Sequence, residues 1–434
     1  MKRAVVLALC CALLASAAGT AAARGAAGAV QEISWGAADD ASKFADDGGD
    51  AFYTQLKGAN LTQNRWTVAF DASNPTAINE LPFLERAAPK AQAAGVRIIL
   101  VLYSLKGSEH DPAAFCDWAQ KVVQTVNAWG IHDFVVGNEV NTRLYWSPQK
   151  DDSGNDVAAP AYEALLARCY DLIHAADPAA NVIAMGLSPR ASTPESNEPL
   201  VFLRDVGKAY RASGRTTPIM DQLSIHPYPN PSRPTDSPDV GYDNPDRFGI
   251  ANLDRVKQAV YDAFNGTGQP TTLNGLTFVV DEVGWQTDTS AYPGYVNAEN
   301  VPVISEQQQA SFIKTMVTKY FACDPTVTGV QLFLLVDEKY RNGRDANGTY
   351  VGGGWQSGLV TAGGQQKASY AASAPLFAAG RAACTGPAIS WSPAKAGSAS
   401  TGGQQGGPAS LKKHVKKSLK KGKKPVKKLI KKRR

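Results

Sequence analysis

The sequence predicts a (β/α)8 TIM barrel followed by a disordered basic C-terminal tail. Within its 434 residues, eight apolar, strand-like runs alternate with amphipathic helical patterns between residues 30 and 384. Hydrophobic residues make up 44% of the chain and charged residues 19%, which suffices for a large core and argues against global disorder. The first run lacks the Gly-x-Gly-x-x-Gly loop of dinucleotide sites, which weakens the alternative of an open doubly wound sheet.

The predicted strands and helices follow one another in regular order. The strand-like runs occupy residues 30–35, 61–70, 96–104, 133–139, 181–189, 220–228, 276–284 and 329–338. Apolar residues recur at spacings of three and four in the segments between them, which is typical of amphipathic helices, and the clearest are 111–130, 160–177, 305–322 and 369–384. Asp111 and Pro112 favour the start of a helix. Residues 30–384 are therefore expected to form one barrel domain.

The first 23 residues have the pattern of a secretory signal peptide. Lys2 and Arg3 precede an apolar stretch, 4–14, and small residues then lead to a cleavage site near Ala23. The apolar stretch is short for a membrane span, so a retained anchor is the less favoured alternative. The mature protein is therefore expected to be secreted or associated with the cell envelope.

Four cysteines remain after removal of such a signal, namely Cys116, Cys169, Cys323 and Cys384. An even number fits an oxidising compartment, although four cysteines allow three pairings. Cys116 and Cys169 fall in the helices after the third and fourth strands, and Cys323 and Cys384 end the helices after the seventh and eighth. Because successive helices are neighbours around a barrel, we expect Cys116 to pair with Cys169 and Cys323 with Cys384.

The C-terminal region differs in composition from the barrel. Residues 385–409 are rich in Gly, Ser, Ala and Pro and predict a flexible linker. Residues 410–434 form a basic tail with twelve Lys, two Arg and no acidic residue. In an exported protein this tail suits envelope polyanions, anionic lipids or acidic polysaccharides, and an inert solubilising tail is the alternative. Such tails bind nucleic acid only through phosphate charge, so no specific nucleic acid partner is expected.

Two glutamates stand at the carboxyl ends of predicted strands. Glu139 ends the fourth strand and Glu282 ends the seventh, and in a barrel these ends face one shared site. Two carboxylates across a cleft suit cleavage of a glycosidic bond, because one protonates the leaving oxygen and the other attacks the anomeric carbon or activates water. Asp281 competes with Glu282 for this role. Since strand side chains alternate, only one of the two is expected to point inward.

Polar and aromatic residues at other strand ends complete the predicted site. An arginine beside a carboxylate keeps it ionised, and a tyrosine hydroxyl donates to the same group. The candidate substrate-binding residues are Arg65, Asn138, His226, Tyr228, Trp35, Trp285 and Trp355. The polar members could instead be structural, and the tryptophans could be core or rim residues rather than surfaces for sugar stacking.

The order of these motifs resembles that of the clan A retaining glycoside hydrolases, the cellulase-like TIM-barrel glycosidases. Arg65, Asn138-Glu139, the His226-x-Tyr228 pattern and Glu282 match that clan's strand-end positions over residues 30–384. The resemblance implies that Glu139 is the acid/base and Glu282 the nucleophile. Many members carry a tryptophan at the end of strand eight, whereas this chain reads LFLLVDE there, and Trp355 is a possible substitute.

The expected function is therefore that of a secreted retaining glycoside hydrolase, a monomer acting on a β-linked polysaccharide or oligosaccharide. The alternative is a non-catalytic carbohydrate-binding barrel retained at the envelope by its basic tail. No His/Cys cluster has zinc spacing, and no cofactor or metal is expected. Four acidic residues could suggest cation binding but lack the spacing of a calcium loop, so they are expected in solvated loops: Asp39, Asp40, Asp151 and Asp152. Asp337 and Glu338, which end the eighth predicted strand, are also expected in a solvated loop.

Overall fold

Eight parallel strands close into a barrel in the computed structural model, which describes residues 31–104, 111–299, 301–341 and 354–394. Each strand pairs with the next, and the eighth pairs with the first. The strands are β1 Ser34–Ala38, β2 Gln63–Phe70, β3 Arg97–Ser104, β4 Asp133–Val136, β5 Asn181–Leu187, β6 Gln222–Ile225, β7 Thr277–Val283 and β8 Val327–Leu332. The predicted (β/α)8 fold is confirmed.

The α-helices of the described residues lie between the strands and after the last one. They are α1 Ala41–Phe44, α2 Asp50–Gly58, α3 Leu81–Ala94, α4 Pro112–Val126, α5 Ala158–Ala176, α6 Pro199–Ser213, α7 Leu253–Phe264, α8 Glu306–Thr315 and α9 Ala368–Ala379. The start predicted for α4 is correct, because the Asp111 carboxylate accepts from the backbone N–H groups of Ala113 and Ala114. The predicted helix 305–322 is shorter, since a π-helical turn, Met316–Tyr320, follows α8.

The core lies mainly between the barrel and the surrounding helices. Large apolar side chains from both layers meet there, among them Trp66, Phe70, Trp118, Phe134 and Phe202. A small separate cluster comprises Ile99, Val101, Val135, Ile183 and Val279. Burial on both faces explains why the strands appear in the sequence as continuous apolar runs rather than as alternating patterns.

Three strands end earlier than their apolar runs suggest. β4 ends at Val136, β6 at Ile225 and β8 at Leu332, each several residues before the predicted end. The residues that follow leave the sheet at the carboxyl edge of the barrel. The predicted site residues Asn138, Glu139, His226 and Tyr228 therefore follow the ends of β4 and β6 rather than lying within the strands.

Both expected disulfides are present. Cys116 and Cys169 join α4 to α5, and Cys323 and Cys384 join the turn before β8 to the segment after α9. Each bond links neighbouring parts of the outer helical layer, as the order of elements around a barrel predicts.

The predicted signal peptide, 1–23, and the basic tail, 410–434, lie outside the described residues. The described part of the linker starts in contact with the barrel domain. The backbone N–H of Ile389 donates to the Cys323 carbonyl, and the Trp391 ring lies 6.3 Å from the Tyr261 ring of α7. Among the helices of the described residues, none combines the length and apolarity needed to cross a lipid bilayer.

Candidate active site

The backbone around Glu139 turns sharply after β4. Gly137 has a φ of 92° and Glu139 a φ of 45°, a left-handed conformation that is rare for residues other than glycine. The Glu139 N–H donates to the Gly186 carbonyl at 2.7 Å. A Cβ on Gly186 would lie only 3.2 Å from the Cα of Asn138, so glycine permits this close approach of β5. The surrounding structure thus holds Glu139 in a conformation that costs about 1–3 kcal/mol.

Asp281 and Glu282 lie where the pairing of β7 with β8 shifts its register. These two residues stand opposite the single residue Gln331 of β8, as in a β-bulge. Strict alternation fails there, and both carboxylates contact the buried Arg65. The prediction that only one of the two points inward is therefore wrong.

Arg65 of β2 contacts three site residues. Its Nη1 lies 3.0 Å from Oε1 of Glu282, and its Nε lies 3.2 Å from Oδ2 of Asp281. Its Nη2 donates to Oδ1 of Asn138 at 2.7 Å. Burial disfavours the charge of Arg65, but Glu282 and Asp281 outweigh this effect and raise the pKa above its ordinary value. Arg65 is thus a permanent cation between the ends of β4 and β7.

His226, the first residue after β6, contacts all three carboxyl groups and is fully buried. Its Nδ1 lies 3.3 Å from Oε1 of Glu139 and 3.5 Å from Oε2 of Glu282. Its Nε2 lies 3.0 Å from Oδ1 of Asp281. Burial alone lowers the pKa of this ring, but Glu282 and Asp281 raise it to about 10. At neutral pH the ring is therefore charged, with an N–H on each nitrogen.

Tyr228 adds a further donor to Glu282. Its hydroxyl donates to Oε2 of Glu282 at 2.9 Å, and burial followed by the charge of Glu282 raises the pKa of Tyr228 well above its ordinary value. Tyr228 therefore remains a neutral donor. The side chain of Glu282 is 14% exposed and that of Glu139 21%, so both remain open to the space above the barrel.

A cavity of about 520 Å³ lies above this group. Its lining includes three of the predicted site residues, Arg65, Asn138 and Glu282. It also includes aromatic residues that the sequence prediction missed: Phe44, Tyr103, Tyr145 and Phe333. Tyr103 lies near the end of β3, and Phe333 directly follows β8 within the LFLL run. For Tyr103, an aromatic residue near the end of the predicted strand 96–104 was a usable signal, whereas Phe333 lies in the middle of the predicted run 329–338 and only the early end of β8 places it at the site.

Two of the three predicted sugar-stacking tryptophans are buried in the core, which contradicts that role. Trp35 is 2% exposed, and its ring lies 5.2 Å from that of Phe377 in α9. Trp285 is 3% exposed, lies 5.5 Å from the ring of Phe312 and donates its indole N–H to the Asp236 carbonyl. The local sequence does not show that residues of α9 and α8 pack against these two rings. Trp355 differs, being 40% exposed.

Trp355 extends the aromatic surface of the cavity. Its ring lies 5.9 Å from that of Phe333, and the Phe333 ring lies 6.2 Å from that of Tyr228. Three aromatic rings thus lead from Glu282 toward the rim. Trp355 remains a predicted substrate-binding residue.

Two acidic residues expected in solvated loops are instead buried at the cavity wall. Asp39 accepts from the backbone N–H groups of Leu335 and Val336, and burial raises its pKa to about 7. Asp337 forms an ion pair with the buried Lys367 at 2.7 Å. These contacts hold the segment after β8 against β1 and α9. The described residues contain no group of His, Cys, Asp and Glu side chains that could hold a metal ion.

Comparison with known proteins finds similarity in the fold but not in the sequence. Searches of protein-family models and of curated proteins found no match to the sequence. A family 39 glycoside hydrolase from the gut symbiont Bacteroides cellulosilyticus WH2 aligns with a TM-score of 0.53 and 15% identity, over 80% of this chain and 64% of that enzyme. A glucosidase from Croceicoccus marinus aligns with a TM-score of 0.50 and 13% identity, over 80% and 67% of the two chains. The resemblance to TIM-barrel glycoside hydrolases is thus confirmed for the fold.

Proposed function

We propose that the chain is a retaining glycoside hydrolase that cleaves β-glycosidic bonds in a polysaccharide or oligosaccharide. The observation that carries the proposal is that a single nitrogen of His226 lies within 3.5 Å of both Glu139 and Glu282. Glycosidic cleavage requires two neighbouring carboxyl groups, and here Glu282 lines the aromatic cavity while Glu139 lies beside it, with 21% of its side chain exposed. The names of the structural neighbours, a family 39 glycoside hydrolase and a glucosidase, support the same reaction class.

The spacing of the glutamates favours the retaining mechanism. Oε1 of Glu139 and Oε2 of Glu282 lie 3.3 and 3.5 Å from the same nitrogen, so they cannot be further apart than the sum of these distances. Retaining enzymes place their carboxyl groups about 5–5.5 Å apart, and inverting enzymes about 6.5–9.5 Å apart. The upper bound therefore includes the whole retaining range and excludes most of the inverting range.

The contacts of the two glutamates support different roles. Glu282 accepts from Tyr228 and pairs with Arg65, and both contacts stabilise an anionic nucleophile. Glu139 has neither contact, and its nearest charged neighbour is His226. With Arg65 and His226 charged and Asp281 and Glu282 ionised, the formal charges cancel when Glu139 carries a proton. That is the form a general acid requires.

The reaction then proceeds in two steps. Glu282 attacks the anomeric carbon while the Glu139 carboxyl group gives its proton to the departing glycosidic oxygen, which leaves a glycosyl ester on Glu282 and a carboxylate on Glu139. That carboxylate takes a proton from a water molecule as the water attacks the same carbon. The sugar leaves with net retention of configuration, and both glutamates return to their first state.

The decisive experiment is hydrolysis of a panel of aryl β-glycosides and β-glucans by the disulfide-bonded protein. Glu139→Gln and Glu282→Gln should abolish turnover, whereas Glu85→Gln, on the exposed side of α3, should leave it unchanged. NMR of the first product should show the β-anomer, and azide should restore activity to Glu282→Gly. Binding of sugar without turnover on any substrate would instead support the carbohydrate-binding barrel, and an initial α-anomer would refute retention.

We further propose that the protein is secreted. The signal-like residues 1–23 support this assignment, and two disulfides are typical of oxidising compartments. Mass spectrometry of the exported protein should find a mature N-terminus close to residue 24. Recovery of the intact chain with residues 1–23 would show a retained anchor instead.

We also propose that the basic tail, 410–434, retains the enzyme at the cell envelope through polyanions. Its fourteen cations without an acid support electrostatic binding, which salt weakens. Deleting the tail should release the protein from cells and abolish the salt dependence of its retention. Equal retention of the full chain and the truncated chain would contradict this role.

A further inference from the structure

Asp281 is a third carboxylate in the candidate active site, and the two-glutamate mechanism does not use it. It is fully buried, directly beside Glu282 in β7. Its Oδ2 lies 3.2 Å from Nε of Arg65, and its Oδ1 lies 3.0 Å from Nε2 of His226. Within the described residues, neither this Oδ1 nor this Nε2 makes a hydrogen bond, so the contact between them is an ion pair. Asp281 therefore faces the side of the imidazole that points away from the two glutamates.

The charge on Asp281 balances the site through the whole proposed reaction. In the resting state, Arg65 and His226 carry two positive charges, and Asp281 and Glu282 carry two negative ones. When Glu282 becomes an ester, its charge disappears and Glu139 gains one, so the sum is again zero. Without Asp281, both states would contain an excess positive charge in a buried site, and loss of the His226 proton would relieve it.

We propose that Asp281 is a positioning residue that keeps His226 as an imidazolium, so that its charge stabilises Glu282 in the resting enzyme and Glu139 in the glycosyl-enzyme. In the structure Nδ1 is hydrogen-bonded to Oε1 of Glu139 at 3.3 Å and lies 3.5 Å from Oε2 of Glu282, so the imidazolium stands next to both glutamates without movement of the ring. Its role in the two steps rests on the proposed function, whereas the charge on His226 is a property of the folded protein alone.

The groups that face His226 on every side are consistent with this role. Glu139 approaches from the turn after β4, and Asp281 and Glu282 approach from β7. Tyr228 lies on the same segment as His226, with ring centroids 6.3 Å apart, and is neutral. The nearest other cation, Arg65, is separated from the imidazole by the carboxylates that both contact. Burial lowers the pKa of His226, but Glu282 and Asp281 together raise it to about 10.

The test is a ¹⁵N NMR titration of His226 in the full chain, which requires no substrate. The chain has five histidines, and the signal lost in His226→Gln assigns the ring. The wild-type ring should stay protonated well above neutral pH. Asp281→Asn, which conserves size and removes the charge, should lower the midpoint by at least about one pH unit. Asp324→Asn is the matched control, because it removes the carboxylate of another buried pair, 2.6 Å from Lys257, and should not move the midpoint.

The outcomes distinguish this inference from the proposed function. A wild-type midpoint near the ordinary value of about 6.5 overturns the inference even if Asp281→Asn does not fold. An unchanged midpoint in folded Asp281→Asn overturns it as well. If the wild type hydrolyses β-glycosides, Asp281→Asn should move the basic limb of the kcat profile to lower pH by about as much as the midpoint, with KM nearly constant. A basic limb that does not move would refute the positioning role, and a shifted midpoint in a protein without hydrolysis would refute only the proposed function.

Discussion

Replacing Tyr228 by phenylalanine removes one hydrogen-bond donor from Glu282 and leaves the ring in place. In the wild-type structure the hydroxyl donates to Oε2 at 2.9 Å, while Arg65 contacts Oε1 at 3.0 Å. Because Tyr228 is buried, no bulk water replaces the lost donor directly. The Glu282 anion should therefore lose stabilisation, whereas its protonated form should lose much less.

The size of the effect follows from the charge of the acceptor. A hydrogen bond to an ionised group contributes about 1.5–3 kcal/mol, and each pH unit in a titration corresponds to about 1.4 kcal/mol. If Glu282 is the nucleophile, it must be ionised for the first step. The acidic limb of the kcat/KM profile should thus move about 1–2 pH units toward neutral pH in Tyr228→Phe.

The assay is the pH dependence of initial rates on the best aryl β-glycoside of the panel. Tyr210→Phe is the matched control, because it removes a hydroxyl that donates to the Thr217 carbonyl at 2.8 Å on α6, away from the cavity. Its acidic limb should coincide with that of the wild type. An acidic limb that does not move in Tyr228→Phe would show that Glu282 does not set it, and the assignment of Glu282 as the ionised nucleophile would fail.

Three further predictions concern stability. Lys367→Met should destabilise the fold by about 3–5 kcal/mol in urea unfolding, because it leaves the buried Asp337 carboxylate without its cation. A double variant that also removes the charge of Asp337 should recover part of this loss. Replacing Cys116 and Cys169 by alanine opens a bond between residues 53 apart and should lower the free energy of unfolding by about 4 kcal/mol, whereas a loss below about 1 kcal/mol would contradict the estimate. The pKa of Asp39 rises on folding to about 7, so the folded state binds an additional proton and the free energy of unfolding should fall as the pH rises from about 4 to 7. Asp39→Asn should make this fall smaller by up to about 4 kcal/mol. Parallel curves of unfolding free energy against pH for the two proteins would refute this prediction.

The sequence by itself predicts the barrel and the positions of the two glutamates. Alternation of apolar runs and amphipathic segments is a local property, and a closed parallel barrel brings all strand ends to one edge. Glu139 and Glu282 therefore needed no contact information to be placed together. The same order of elements predicted both disulfides, because consecutive helices are neighbours around the ring.

The tertiary structure alone decided which side chains near those strand ends reach the cavity. Local alternation suggested one inward carboxylate in β7, but the shifted register with β8 turns both Asp281 and Glu282 toward Arg65. Trp35 lies in β1 and Trp285 just after β7, yet aromatic residues of α9 and α8 pack against their rings. Register shifts and packing between layers depend on residues distant in the sequence, which no local pattern records.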